Sequence, residues 1–180
     1  MIRTSVYQSV RQTRSEEIAA GWRWGAIGGG EIPRDLRAWL DPGLLRRAVA
    51  NEVARLDWQN PEVVGYLSRY PEYRPEAMLR LLVFGYAIQE FESECIAISC
   101  RKDRGFQELC DGIPVPAQDL IKFRRANRPL IEAVLGRVFE TVASSREVGS
   151  AVDAGSAGED RFLKEARRRL DIARHFDTQD

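Results

Sequence analysis

The chain predicts an all-α fold: a compact bundle of short helices with a helix-turn-helix-like centre, then a linker and a C-terminal amphipathic helix. Three observations predict it. Apolar residues recur at helical spacing from Leu44 to Leu56, from Met78 to Tyr86 and from Leu130 to Val142. Helix start and stop residues punctuate these runs, with Asp41-Pro42, Asn60-Pro61 and Pro75 opening and Gly112 and Pro114 closing. Between Tyr73 and Arg125, short helical runs follow one another across tight turns, and the last of them is basic.

Composition bounds the answer. The 180 residues allow one good core with a small appended piece, and 44% hydrophobic with 30% charged residues is ordinary for a globular protein. Lys plus Arg and Asp plus Glu number 27 each, so a nucleic-acid binder would have to use a local patch rather than net charge. The first residues lack the apolar run of a signal peptide, and no stretch approaches the roughly 20 apolar residues that span a bilayer. A cytoplasmic protein that makes no membrane contact is expected. Cys95, Cys100 and Cys110 lie within apolar patterns and have no histidine nearby, which predicts buried inert thiols and no zinc site.

Residues 1–33 read as a flexible arm containing Trp22, Trp24 and a glycine cluster at Gly25–Gly30. No Gly-Lys-Ser/Thr follows that cluster, so it is not a nucleotide loop. The helical domain is placed at 34–143. DLRAWL predicts one helical turn. Asp41-Pro42 supplies a cap and a first-turn proline for a helix with Leu44, Leu45, Ala48, Val49, Val53 and Leu56 on its stripe. Asn60-Pro61 repeats the signal for a short helix through Leu67, ended by Tyr70-Pro71. Pro75 and Glu76 suit the start of the next helix, whose face carries Met78, Leu79, Leu82, Val83 and Tyr86.

Ser93 can cap a helix carrying Ile96, Ala97 and Cys100, and Asp103 a short turn through Phe106 and Leu109. Gln118 or Asp119 opens the basic helix, with Leu120, Ile121 and Phe123 on one side. Asn127 can cap a long helix with Pro129 in its first turn, and the wide stripe that follows suits core packing or dimerisation. Residues 144–160 read as a linker, and 161–176 as an amphipathic helix seeking a partner surface. The adjacent Arg167, Arg168 and Arg169 could alternatively contact phosphate.

Electrostatics single out the basic helix. From Leu120 to Arg137, Lys122, Arg124, Arg125, Arg128 and Arg137 face only Glu132. Lys122, Arg124, Arg125 and Arg128 are therefore the candidate phosphate contacts, and Gln118 and Asn127 the candidates for base edges.

The order of motifs across this region resembles the N-terminal, non-catalytic domain of bacterial insertion-sequence transposases whose catalytic domain is RNase-H-like with an Asp-Asp-Glu triad. Tyr73-Arg74-Pro75, Leu79 to Leu82, Gly85-Tyr86, Ser93 with Ile96, Phe106 with Leu109, Pro116 and Phe123-Arg124-Arg125 carry the likeness, over roughly a third of the chain. A weaker likeness extends upstream to Leu44. The resemblance implies a helical domain that helps a transposase hold the terminal repeats of its element. The chain departs from the pattern at Glu94, where the family often has a basic residue, and at Asp119, where Pro-Asp and a nearby Thr are usual. Glu90, Glu92 and Glu94 also make one turn acidic, which repels phosphate.

Catalysis is not expected, and neither is a cofactor or metal. Asp153 reads as a linker aspartate, because nothing after it supplies the further carboxylates that hard cations need. His175 has no nucleophile placed beside it by any motif. The leading expectation is a DNA-binding module for transposon ends. The alternative is an interaction module that pairs with itself or with a full-length transposase, or a decayed fragment of one.

Overall fold

In a computed structural model, residues 32–38, 40–58, 73–147 and 157–177 are described. They are all-helical, and no strand occurs among them. After a 3-10 turn at Leu36–Ala38 come seven helices: α1 Pro42–Ala54, α2 Pro75–Ala87, α3 Ser93–Lys102, α4 Arg104–Leu109, α5 Ala117–Ala126, α6 Arg128–Glu147 and α7 Ala157–Phe176. The expected arm, the Asn60-Pro61 helix and Asp153 lie outside the described residues.

The helix ends follow local chemistry. Asp41 accepts from the Gly43 and Leu44 amides at 2.8 and 3.4 Å, and Pro42 occupies the first turn, where its missing N–H is no loss. Asp103 caps α4 through the Phe106 amide at 3.1 Å. α2 and α4 end alike. Gln89 and Asp111 take left-handed φ of 67° and 53°, and the next amide reaches back to Gly85 O at 2.8 Å and to Gln107 O at 2.9 Å. Gly85 also allows α3 to approach. A Cβ there would stand 2.8 Å from Ile96 Cδ1 and 3.1 Å from the Glu90 carbonyl oxygen.

α2 is the central element, because apart from Arg80 it buries every residue from Ala77 to Ala87. α1, α4, α5, α6 and α7 all touch it. Burial on that scale stabilises by roughly 1.5–3 kcal/mol for each large apolar side chain. Phe84 and Phe106 meet edge to face with centroids 5.3 Å apart, fastening α4 to this helix.

α6 buries the expected stripe from Ile131 to Val142, with Leu130 at its start half-buried. Packing within the chain therefore consumes the face that could have served a dimer. Its most extensive partner is α7, which buries Phe162, Ala166, Leu170 and Ala173. α7 is thus part of the core, and the reading of an appended helix seeking another surface is corrected. The reason is that the apolar face of α7 meets α6 along its length and α2 more briefly. The linker boundaries shift too, since α6 runs on to Glu147 and α7 begins at Ala157.

Cys100 and Cys110 are buried, and Cys95 is half-buried with its thiol donating to Glu92 at 3.1 Å. Burial, reinforced by the neighbouring Cys110, pushes the Cys100 thiol from 9.0 up to about 12. The folded state therefore holds this proton more tightly than the unfolded chain. Its contribution to stability is complete below about pH 9 and is lost as pH rises toward about 12. Urea midpoints should stay level through neutrality and fall above about pH 9. At pH 7.5 (roughly, below the ordinary thiol range) a thiol reagent should label Cys95 well before Cys100 or Cys110. Equal labelling of all three in the folded protein would contradict the buried assignment.

Candidate nucleic-acid interface

The basic helix is short, with Leu120 and Phe123 anchored in the core. It starts at Ala117 after Pro116, which makes no side-chain cap, rather than at Gln118 or Asp119. Gln118, Lys122 and Arg125 are exposed on it. Lys122 lies 3.5 Å from Asp119, and no described carboxylate lies within ion-pair distance of Arg125.

Two expected contacts point inward. Arg124 is 4% exposed and pairs with the buried carboxylate of Asp177, just past α7. Asn127 is also buried, and its side-chain amide donates to Phe123 O at 2.9 Å, closing α5 instead of capping α6. Asn127 is therefore withdrawn as a reader of base edges and Arg124 as a direct phosphate contact. The bundle had four orphan carbonyls at the end of α5 and an orphan helix start at α3, and burial forces such groups to be satisfied internally.

Asp177 answers the second need. It accepts from the Ser93 hydroxyl at 2.8 Å and from the Ser93 amide at 3.3 Å, so a residue 84 positions away caps α3. Ser93 is the first helical residue, not the cap. Tyr86 is fully buried beside this cluster. Burial raises its phenol well above the ordinary value, and the adjacent Arg124 charge works in the opposite direction. Phe91 stacks between Tyr86 and Phe176, with centroids 6.2 and 6.4 Å away.

The other expected cations find partners remote in sequence. Arg128 meets Asp171 at 2.7 Å, and Arg137 meets Glu52 of α1 at 3.5 Å. Glu52 is itself buried, and Arg55 and the Thr141 hydroxyl donate to it at 2.7 and 3.0 Å. The arginine run on α7 is likewise engaged. Arg167 pairs with Glu132, Arg168 with Glu165, and Arg169 enters the core.

What remains is a groove of about 370 Å³ where α5, the start of α6 and α7 meet, lined by Arg124, Arg125, Arg128, Leu170 and Arg174. Sequence reasoning missed Arg174. It sits one helical turn beyond Leu170, so the i, i+4 rule could have placed it on the same face. The four guanidiniums are not equivalent. The Arg128–Asp171 pair is 34% and 50% exposed, and such surface pairs contribute about 0–1 kcal/mol, so a competing phosphate can take Arg128. The Arg124–Asp177 pair is 4% and 3% exposed, and breaking such a pair costs several kcal/mol. Arg124 supplies structure and field, while Arg125, Arg128 and Arg174 are the cations an anion can reach.

Among the described residues no group of three or more His, Cys, Asp or Glu could hold a metal, and no helix is long and apolar enough to cross a membrane. No protein-family model, curated protein or solved structure matches the chain.

Proposed function

We propose that this chain is a DNA-binding module of the kind found in the non-catalytic N-terminal domain of insertion-sequence transposases, and that it holds the ends of an element without performing strand chemistry. The observation that carries the reading is the arginine-lined groove, in which Arg125 stands exposed on a short helix with no described carboxylate beside it. Guanidinium groups suit phosphate because their planar fork donates two parallel hydrogen bonds. The order of motifs from Tyr73 to Arg125 supports the same reading, with α3, α4 and α5 as the helix-turn-helix-like part. Gln118, exposed in the first turn of α5, is the remaining candidate for a base contact.

The alternative of a dimerising module has less support, because its apolar stripe is spent inside the fold. The large apolar side chains left exposed among the described residues are Leu44 and Ile113, on separate elements.

Replacing Arg125 and Arg174 together by Ala should leave the helical content unchanged. It should weaken binding to duplex DNA carrying element-end repeats and lower the slope of log K against log salt by about one to two units. Unchanged affinity and slope in a salt-titrated assay would overturn the assignment of this groove.

A further inference from the structure

A second cationic surface lies where α1, α2 and α4 meet. Its groove, of about 310 Å³, is lined by Arg46, Arg47, Arg80 and Glu108 among others. Two carboxylates form ion pairs in this region, and each is shared between two arginines. Glu108 stands 3.3 Å from both Arg46 and Arg104, and Asp111 lies 2.8 Å from Arg80 and 3.4 Å from Arg74. Arg47 is exposed and has no described carboxylate within ion-pair distance. Five guanidiniums stand against these two carboxylates and those of Asp41 and Asp103, which lie on either side of the Arg46 guanidinium, so a small positive excess is left in a chain whose net charge is zero. Arg101 and Lys102, exposed at the end of α3, extend the same sign toward α4.

The arrangement is built rather than incidental. Arg46 lies along α4 because residue 105 is glycine, and a Cβ there would come 2.9 Å from its Nη1 and 3.4 Å from its Cδ. Arg80 is held by Asp111, its side chain 20% exposed, and its buried Nε has no acceptor among the described residues. Carboxylates shared in this way orient the guanidiniums while leaving donors unspent, as recognition of phosphate requires. Arg104, 92% exposed, and Arg47 are free to swing onto a ligand.

We propose that this α1–α2–α4 surface is a second phosphate-contact site, engaging the backbone of duplex DNA in addition to the α5–α7 groove. The proposal rests on the DNA-binding reading, and nucleic acid is the partner that offers phosphates in a row to two separate cationic grooves on one chain.

The test compares the full chain with three variants: Arg47→Ala with Arg104→Ala, Arg125→Ala with Arg174→Ala, and all four together. Each is titrated with the same duplex at several salt concentrations, with circular dichroism to check the fold. The Arg47/Arg104 variant should bind about tenfold more weakly and lose about one to two units of salt slope, and the losses should add in the fourfold variant. If Arg125/Arg174 weakens binding and Arg47/Arg104 changes neither affinity nor slope, the second surface is refuted while the DNA reading stands. If only Arg47/Arg104 matters, this surface stands and the α5–α7 groove is refuted. A wild-type chain that does not bind duplex at all refutes both.

Discussion

Replacing Arg169 by Met is expected to destabilise the protein by about 3–5 kcal/mol, seen as a fall in Tm of about 10 °C or more. Arg169 is 1% exposed and is one of the largest fully buried side chains. Its Nη1 donates to Tyr86 O and Ala87 O at 2.8 and 2.9 Å, its Nη2 to Pro33 O at 2.7 Å, and its Nε to Glu165 at 2.9 Å. The guanidinium also lies 4.7 Å from the centre of the Phe139 ring. Tyr86 and Ala87 are the last residues of α2, whose end carries partial negative charge and carbonyls without helical partners. One cation therefore closes the central helix. Burial lowers its pKa and Glu165 acts in the opposite sense, and an arginine stays charged under both influences. Met comes near the volume but abandons three carbonyls and leaves Glu165 with Arg168 as its remaining partner. Arg169→Lys should recover only part of the loss, because an ammonium cannot span these acceptors with a planar fork. Equal stability of the Met variant and the wild type in thermal melts would show that the network contributes nothing net.

Asp177→Ala is expected to cost a similar amount, about 3–5 kcal/mol, although the residue lies beyond the last helical turn. The substitution strands the buried Arg124 and removes the cap of α3 in one step. Asp177→Asn should do less damage, since an amide oxygen can still accept from Ser93. Pairing Arg124→Met with Asp177→Leu should recover much of the stability, because the charge that made the single change costly is then gone. Chemical denaturation of the three variants measures this. A double variant as unstable as Asp177→Ala would place the cost in the lost cap rather than in the stranded arginine.

Much of the fold was legible. Asp41-Pro42, Pro75 and Asp103 mark helix starts by local hydrogen-bond chemistry, and the stripes on α1, α2 and α6 follow from the helical period alone. Boundaries failed where distant residues decide them. Ser93 looked like a cap because serine often is one, yet its hydroxyl serves a carboxylate that arrives 84 positions later. The candidate site was half legible for the same reason. Counting neighbours along the chain found Lys122, Arg124, Arg125 and Arg128. It could not see Asp171, Asp177 and Glu52 arriving from other helices, nor Arg174 joining the groove. Arg169 sat in a run of three arginines that looked uniformly solvated, and only tertiary packing singles out the one that enters the core.

The 136 positions between Pro33 and Arg169 have a consequence for how this protein emerges from the ribosome. While the first helices are already outside the tunnel, the arginine that finishes α2 has not yet been translated. Apolar surface on α2 must then wait uncovered, a period in which nascent chains are prone to stick to one another. Slow translation of the codons for α6 and α7 should therefore raise the demand for chaperones far more than an equal delay in those for α1.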